Sequence, residues 1–347
     1  RVTSRSISLT VDQCRRECDS TSMASPLANS SSSSGLQVLL LLVIFACAVT
    51  HLGLAIKPPK APPTEMVEQY TRNGTVALRN FYVDDTNGGE ETHFKYSAKN
   101  IESLMKGVER QLLKMQTLLE EGDAAAIMVA RLPPRDWFYY AAAKYASSFD
   151  NAQVAVFGSM EPFAEATALA LGAAHVTTIE YNNLTLQHER LSTLSKHDFS
   201  SLYSCTSPYL ASFDVAISLS SFDHDGLGRY GDPLDPDGDL KAMRQALGLL
   251  KPGGLLFLTV PLGLDLVVFN LLRRYGALRL PLLLQHWQIQ ERLFWDEEKL
   301  TADADFRRSY EPVFMLRKPL LEGLPDACTE AGPPPTTASG SHTFKEL

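Results

Sequence analysis

The sequence has few cysteines, and none of them is grouped as a zinc site requires. Its 347 residues include five, and the closely spaced Cys14 and Cys18 have no second pair. Cys205 and Cys328 lie beyond the apolar run described below, and we expect two free thiols rather than a disulfide. The cysteine content therefore excludes a zinc-finger domain or a small disulfide scaffold.

Clusters of basic residues and internal repeats are also missing. The formal net charge is -8, which argues against a nucleic-acid partner held through its phosphates. The length and apolar content fit one large α/β domain with appendages. Nothing in the sequence indicates an oligomeric state.

Uncharged runs long enough to cross a membrane are absent except at residues 36–56, LQVLLLLVIFACAVTHLGLAI. A helix of about 21 residues, rising roughly 1.5 Å each, spans a bilayer. The alternatives are a signal-peptide core or an erroneous leader, since the chain begins at Arg1 rather than Met. The long polar run before the segment argues against a cleaved signal, and we predict one transmembrane helix.

The flanking composition divides the rest of the chain. We predict a Ser/Thr-rich disordered leader at residues 1–35 and a proline-rich stem and linker at 57–94. A folded α/β domain follows at 95–320, and a disordered tail at 321–347.

Two features of the sequence give opposite indications of the side of the membrane on which the domain lies. Lys57 and Lys60 follow the apolar run and favour a cytosolic domain. The two glycosylation sequons that follow the apolar run, Asn73-Gly74-Thr75 and Asn183-Leu184-Thr185, favour a lumenal one. We expect a single-pass membrane protein, with the ER or Golgi preferred.

Residues 151–182 have the pattern of a strand, a glycine turn, a helix and a second strand. The β-branched run at 154–157 stops at Gly158, and the second strand ends on Glu180, 22 positions later. In such a βαβ unit the turn meets a nucleotide-like ligand, and the acid accepts hydrogen bonds from ribose hydroxyls. Ser159-Met160-Glu161-Pro162 replaces the later glycines of such turns, which disfavours a pyrophosphate. The alternative is a unit that only builds the core.

Periodicity and turn residues predict the remaining elements. Helices are expected at 100–121, 137–145 and 239–250, and in the polar stretch after Glu180. Strands are expected at 213–221 and in the run LLKPGGLLFLTVP after its Pro-Gly-Gly turn.

These later elements carry a resemblance. The order of elements here resembles the second half of a class I S-adenosylmethionine-dependent methyltransferase: a strand opened by Asp214, then a helix, then the run LLKPGGLLFLTVP. With the βαβ unit the resemblance covers roughly residues 151–264. SSFDHDGLGRYGDPLDPDGDL and VVFNLLRRYGALRLPLLLQHW resemble an uncharacterised family, a domain of unknown function placed near these enzymes, over about 139–295. The resemblance implies a Rossmann-like α/β sheet with helices on both faces and a ligand at the carboxyl ends of its strands.

The resemblance also implies S-adenosylmethionine as cofactor. The glycine turn would meet the methionine part of the cofactor, and the acid that ends the second strand would hold its ribose. The residue after the acid would flank the adenine, and the end of the later strand would line the floor of the pocket. The corresponding positions are Gly158, Ser159, Glu180, Tyr181, Ser218 and Ser220.

Asp223-His224-Asp225 lies where these methyltransferases orient or deprotonate the acceptor. A histidine beside carboxylates can take a proton as methyl transfer begins. The alternative is a polar turn in which both acids cap backbone amides.

Four residues are candidates for substrate binding: Arg229, Tyr230, Arg274 and Tyr275. Arg229 would clamp an acidic substrate or pair with Asp232, and Arg274 would reach an anionic acceptor or lie on the solvated face of a helix. Asp237 and Asp239 fit helix capping better than calcium, because position 246 is alanine. No metal site is predicted.

Three functional hypotheses follow. The first is a membrane-anchored methyltransferase acting on a small or glycan-borne hydroxyl, carboxyl or amine. The second is a lumenal glycosyltransferase that holds a metal and a sugar nucleotide with Asp223 and Asp225. The third is a scaffold that kept the fold and lost the cofactor.

Overall fold

The computed structural model describes residues 57–89, 92–122, 131, 133–195 and 207–320. The predicted leader at 1–35, transmembrane helix at 36–56 and tail at 321–347 lie outside these ranges. Among the described helices, none has both the length and the apolarity that a membrane crossing requires.

The α-helices of the described chain are numbered α1 to α6 in order. They are Val67–Tyr70, Ala98–Glu120, Pro134–Lys144, Phe163–Ala170, Gly238–Leu249 and Arg279–Leu283. The strands, β1 to β12, are Ala77–Asn80, His93–Tyr96, Gln153–Phe157, His175–Glu180, Asn183–Leu186, Leu191–Ser195, Phe213–Leu219, Leu250–Thr259, Leu266–Phe269, Leu272–Arg274, Gln288–Leu293 and Val313–Arg317. The helices predicted at 100–121, 137–145 and 239–250 are confirmed within a few residues.

The main sheet has the strand order β11-β12-β8-β7-β3-β4-β6. Strands β6, β4, β3, β7 and β8 are mutually parallel, and β12 runs antiparallel to β8 and β11. The chain moves outward from β3 through β4 to β6, then returns to β7 on the other side of β3. This reversal opens a crevice at the carboxyl ends of β3 and β7, where ligands of open α/β sheets bind.

Alternating side chains of the sheet divide the core into two layers. Val154 and Val156 of β3 face α2, α3 and α4, whereas Ala155 and Phe157 face the side that holds α5 and α6. Successive residues of a strand point to opposite faces, so helices cover both sides. The predicted Rossmann-like α/β fold is confirmed.

The predicted stem and linker at 57–94 is instead folded against the domain. Strand β1 pairs in parallel with β9, and Tyr70 is fully buried against Phe269, with ring centroids 5.5 Å apart. The Tyr70 hydroxyl donates to the carbonyl of Gly226 at 2.5 Å. The prolines end at residue 63, and the apolar side chains beyond them have a core to enter.

Two helix predictions are wrong. The polar stretch after Glu180 forms β5 and β6, where Leu184 and Leu186 are buried with a partly exposed residue between them. The helix that was the alternative setting for Arg274 is also absent, because Arg274 lies in β10, which pairs antiparallel with β9. Apolar residues spaced four apart, such as Val268 and Leu272, fit a helix and a strand equally well, and the pairing partner decides between them.

Candidate functional site

A cavity of about 290 Å³ opens at the carboxyl ends of β3, β4 and β7. It therefore occupies the crevice that the reversal of strand order creates. Its lining comprises Arg135, Val156, Gly158, Ser159, Met160, Glu161, Phe163, Ala164, Glu180, Tyr181, Leu219, Ser220, Ser221, His224, Asp225 and Tyr230. Five of the six predicted cofactor positions and two of the three predicted catalytic positions come together here.

Gly158 forms the turn that follows β3. Its φ is +69°, a left-handed conformation that favours glycine. A Cβ at this position would lie 2.7 Å from Cβ of Ser221, which presses against it from the loop after β7. Glycine is required here by both the backbone and the neighbouring serine.

Glu180 is buried at the tip of β4, and its carboxylate organises the cavity wall. One oxygen, Oε2, accepts from the amide of Ser159 at 2.7 Å. The other, Oε1, accepts from the amides of Tyr181 at 2.9 Å and Asn182 at 3.0 Å, and from Nδ2 of Asn182 at 3.1 Å. Because a carboxylate offers about four acceptor positions, Oε2 is the oxygen that can still accept from a ligand.

Tyr181, Ser218 and Ser220 differ in placement. Tyr181 lines the cavity, and burial raises the pKa of its phenol, which keeps the hydroxyl protonated. Ser220 lines it with φ +48°, a strained conformation for serine. Ser218 is fully buried beneath the cavity, and its hydroxyl has no hydrogen-bond partner among the described residues.

The loop from Phe222 to Asp232 is held by the buried carboxylate of Asp232. Its Oδ2 accepts from the amides of Gly226 at 2.8 Å and Gly228 at 2.9 Å, and its Oδ1 from that of Tyr230 at 3.1 Å. The predicted capping of amides in this turn is done by Asp232. The loop is thereby fixed while it presents His224 and Asp225 to the cavity.

His224 lies at the cavity wall as a neutral imidazole. Burial and the nearby Arg229 cation lower its pKa to about 4. Nδ1 lies 2.5 Å from the carbonyl oxygen of Leu271 and donates to it in the neutral tautomer. This leaves Nε2 as a proton acceptor at neutral pH.

Asp223 lies behind His224 and does not line the cavity. Its side chain is fully buried, and its oxygens accept no hydrogen bond from the described residues. Nε2 of the neutral His224 lies 3.6 Å from its Oδ2. Burial raises the pKa of Asp223 to about 7. Burial and then the Asp223 charge raise that of the neighbouring Glu311 to about 7 as well.

The four residues predicted to bind substrate lie in different parts of the structure. Tyr230 lines the cavity and meets the His224 ring edge to face, with centroids 5.7 Å apart. Arg229 pairs with Asp85 at 2.6 Å, rather than with Asp232. Arg274 and Tyr275 do not line the cavity.

The partners of the last two residues lie elsewhere in the fold. Arg274 donates to the carbonyls of Leu264 and Ala304 and pairs with Asp303. The Tyr275 hydroxyl donates to the buried Asp239 carboxylate, which also receives the guanidinium of Arg279. Asp239 is therefore part of a buried ion pair, and Arg274 is not on a solvated helix face.

Acids outnumber free cations in the cavity lining. It carries the carboxyl groups of Glu161, Glu180 and Asp225, and its Arg135 pairs with Glu161 at 2.8 Å. No group of three His, Cys, Asp or Glu side chains within the described ranges is arranged to hold a metal ion. The lining therefore suits a cationic or neutral ligand better than a polyphosphate.

Several contributors to this region were not predicted. Arg135 lies at the start of α3 with its guanidinium 4.4 Å from the Phe163 ring centre, and Ser221 packs on Gly158. Glu311 precedes β12, and its carboxyl group lies beside Ser220 and Asp223. Glu311 comes from a distant loop with no local motif, so no pattern in the sequence indicates it.

Comparison with known proteins gave one family match. Residues 151–310 match the family described as Caenorhabditis protein of unknown function, DUF268. The match covers less than half of the chain and confirms the predicted resemblance to an uncharacterised family. A comparison with curated proteins gave no match.

Solved structures similar to the chain include methyltransferases and one other enzyme. The Burkholderia thailandensis 1,6-didemethyltoxoflavin-N1-methyltransferase, solved with S-adenosylhomocysteine, is 18% identical, with a TM-score of 0.36 over 50% of this chain and 74% of that one. An S-adenosylmethionine-dependent methyltransferase from Mesorhizobium loti is 11% identical, with a TM-score of 0.33 over 51% and 98%. The [4+2]-cyclase SpnF is 16% identical, with a TM-score of 0.32 over 55% and 85%. Likenesses this weak give no information on ligand or reaction.

Proposed function

We propose that the protein is an S-adenosylmethionine-dependent methyltransferase whose cofactor binds in the cavity between β3, β4 and β7. The observation that carries the proposal is Gly158 at a left-handed turn facing Glu180 at the tip of β4, across a cavity of about 290 Å³. Small-molecule pockets begin at about that size. The cavity argues against the scaffold hypothesis, which predicts an occluded site.

The charges of the lining support this cofactor over a sugar nucleotide. When bound, S-adenosylmethionine supplies an electrophilic methyl group on a cationic sulfonium centre. Glu180 and Asp225 place carboxyl groups around such a cation, whereas a diphosphate would meet acids and an arginine already paired to Glu161. Oε2 of Glu180 would accept from one ribose hydroxyl, and Tyr181 would flank the adenine.

His224 would take the proton that the acceptor loses. Its Nε2 is free to accept, and a weak base suffices because methylation of a hydroxyl generates an oxonium, a strong acid. The buried Asp223 carboxyl group, 3.6 Å away, would stabilise the resulting imidazolium. Tyr230 packs against the ring and would orient the acceptor.

The acceptor class and the location are part of the proposal. We infer a small-molecule or glycan-borne hydroxyl, carboxyl or amine, methylated by an enzyme anchored through residues 36–56. The uncharged run and the two sequons support a single-pass protein of the ER or Golgi.

Calorimetric titration of the full chain with S-adenosylmethionine tests the cofactor. We expect micromolar binding that weakens at least tenfold in Glu180→Ala, because the ribose acceptor and the Ser159 turn are lost together. Glu189→Gln, outside the cavity, is the matched control. Absence of binding at millimolar cofactor, with the fold verified by circular dichroism, would contradict the proposal.

A further inference from the structure

The sequon Asn73-Gly74-Thr75 lies on a turn that projects from the folded domain. The three residues are exposed, whereas Thr71 before them and Val76 after them are buried. Val76 donates its amide to the Thr71 carbonyl at 2.8 Å, which closes the turn beneath the sequon.

The backbone of this turn suits asparagine followed by glycine. Asn73 has φ +56° and Gly74 φ +82°, both in the left-handed region that these two residues tolerate. The Asn73 amide nitrogen of the main chain donates to the Glu68 carbonyl at 2.8 Å, which fixes the residue at the end of α1. The side-chain amide of Asn73 has no hydrogen-bond partner among the described residues. A bulky substituent there would displace nothing.

The second sequon has a different setting. Asn183 begins β5 and pairs with His93 of β2, and Nε2 of His93 lies 3.3 Å from the Thr185 hydroxyl. The preceding residues are Tyr181, which lines the cavity, and Asn182, which binds Glu180. A glycan on Asn183 would stand beside the candidate active site, whereas residues 70–76 take no part in the cavity lining.

We propose that Asn73 carries an N-linked glycan, and hence that the domain faces the lumen of the secretory pathway. N-linked glycosylation requires the Asn-x-Ser/Thr sequence and a surface position, and both are present at this turn. The two lysines after the apolar run favour the opposite orientation. A glycan would therefore establish the compartment in which the proposed methyl acceptor must be found.

Synthesis of the full chain in the presence of microsomes tests this inference. We expect a gel-mobility shift that peptide-N-glycosidase reverses. Asn73→Gln should remove it, or remove one step if Asn183 is modified as well. Thr75→Ala should act like Asn73→Gln, and Thr75→Ser should keep the shift, since serine preserves the sequon.

Asn183→Gln is the matched control, and it should retain the Asn73 step. An unshifted wild-type chain, or a shift in Asn73→Gln as large as that of the wild type, would overturn the inference. S-adenosylmethionine binding by unglycosylated protein made in bacteria tests the proposed function separately.

Discussion

At the scale of single residues, Gly158 is the position at which a substitution is tolerated least. Its φ of +69° and the Ser221 side chain against it both exclude a larger residue. The later glycines typical of such turns are replaced by Ser159-Met160-Glu161-Pro162. Of these residues, Ser159 is the one whose amide holds Glu180, at 2.7 Å.

We expect Gly158→Ala to destabilise the protein by roughly 2–4 kcal/mol, from left-handed strain and the clash with Ser221. Adding Ser221→Gly should recover part of the loss, because it removes the clash and leaves the strain. Urea unfolding of the single and double variants measures both terms. Equal stability of the wild type and Gly158→Ala would contradict the geometry.

Asp223 is a second residue whose surroundings are unfavourable to its charge. Its pKa of about 7 in the folded state exceeds the ordinary value of 3.8, so folding favours the protonated form. The resulting stability is complete below about pH 4 and is lost as the pH rises through 7.

We therefore expect Asp223→Asn to be more stable than the wild type at pH 8 by on the order of 2–4 kcal/mol. The difference should shrink towards pH 4, where the wild-type carboxyl group is neutral in both states. Thermal unfolding from pH 4 to 8 measures it, with Glu102→Gln on the exposed face of α2 as control. A constant difference across that range would show that ionisation of Asp223 is not its cause.

At the scale of elements, the loop from Phe222 to Asp232 is more buried than its polar sequence suggests. Its glycines and acids suggest a solvated turn, yet Asp232 is buried and binds three amides. The loop is also held from outside by the Tyr70 hydroxyl and by Arg273, which donates to the Asp225 carbonyl.

We expect Asp232→Ala to speed hydrogen exchange at Gly226, Gly228 and Tyr230 at least tenfold, because these amides lose their acceptor. Asp232→Asn, with one acceptor oxygen, should lie between it and the wild type. Hydrogen-exchange mass spectrometry of this peptide measures the effect, with exposed Asp305→Ala as control. Unchanged exchange in Asp232→Ala would mean that other contacts order the loop.

At the scale of the whole molecule, the described residues before 97 belong to the domain. Tyr70 and Val76 share a buried cluster with Leu227, Val267 and Phe269. This cluster packs beneath the loop that carries the candidate catalytic residues, so the segment after the apolar run supports the site.

A chain that begins at Lys57 should therefore be more stable than one that begins at Ser97 by at least about 3 kcal/mol, since the shorter chain exposes the Tyr70 cluster. Denaturant unfolding of the two chains measures the difference. In the full chain, Tyr70→Ala should reproduce much of the loss, and Tyr82→Ala, on an exposed ring, should not. Equal midpoints would restore the prediction of a stem.

The sequence by itself determined the central βαβ unit, the strand after Asp214 and the strand after Lys251-Pro252-Gly253-Gly254. Their patterns are local: β-branched runs, a turn glycine and amphipathic spacing act within a few residues. For the same reason Glu180 is predicted from its distance to Gly158, whereas the role of His224 is implied by the resemblance to methyltransferases together with its acidic neighbours.

Only the tertiary structure decided which polar residues face the cavity and which form ion pairs or hydrogen bonds elsewhere. Arg229, Arg274 and Tyr275 bind acids or carbonyls that are distant in the sequence, and Glu311 reaches Ser220 from the loop before β12. The folding of residues 57–94 and of β5, β6, β9 and β10 likewise depends on pairing partners elsewhere in the chain. Long-range pairing and burial of charge arise only when the chain packs, so local sequence patterns do not predict them.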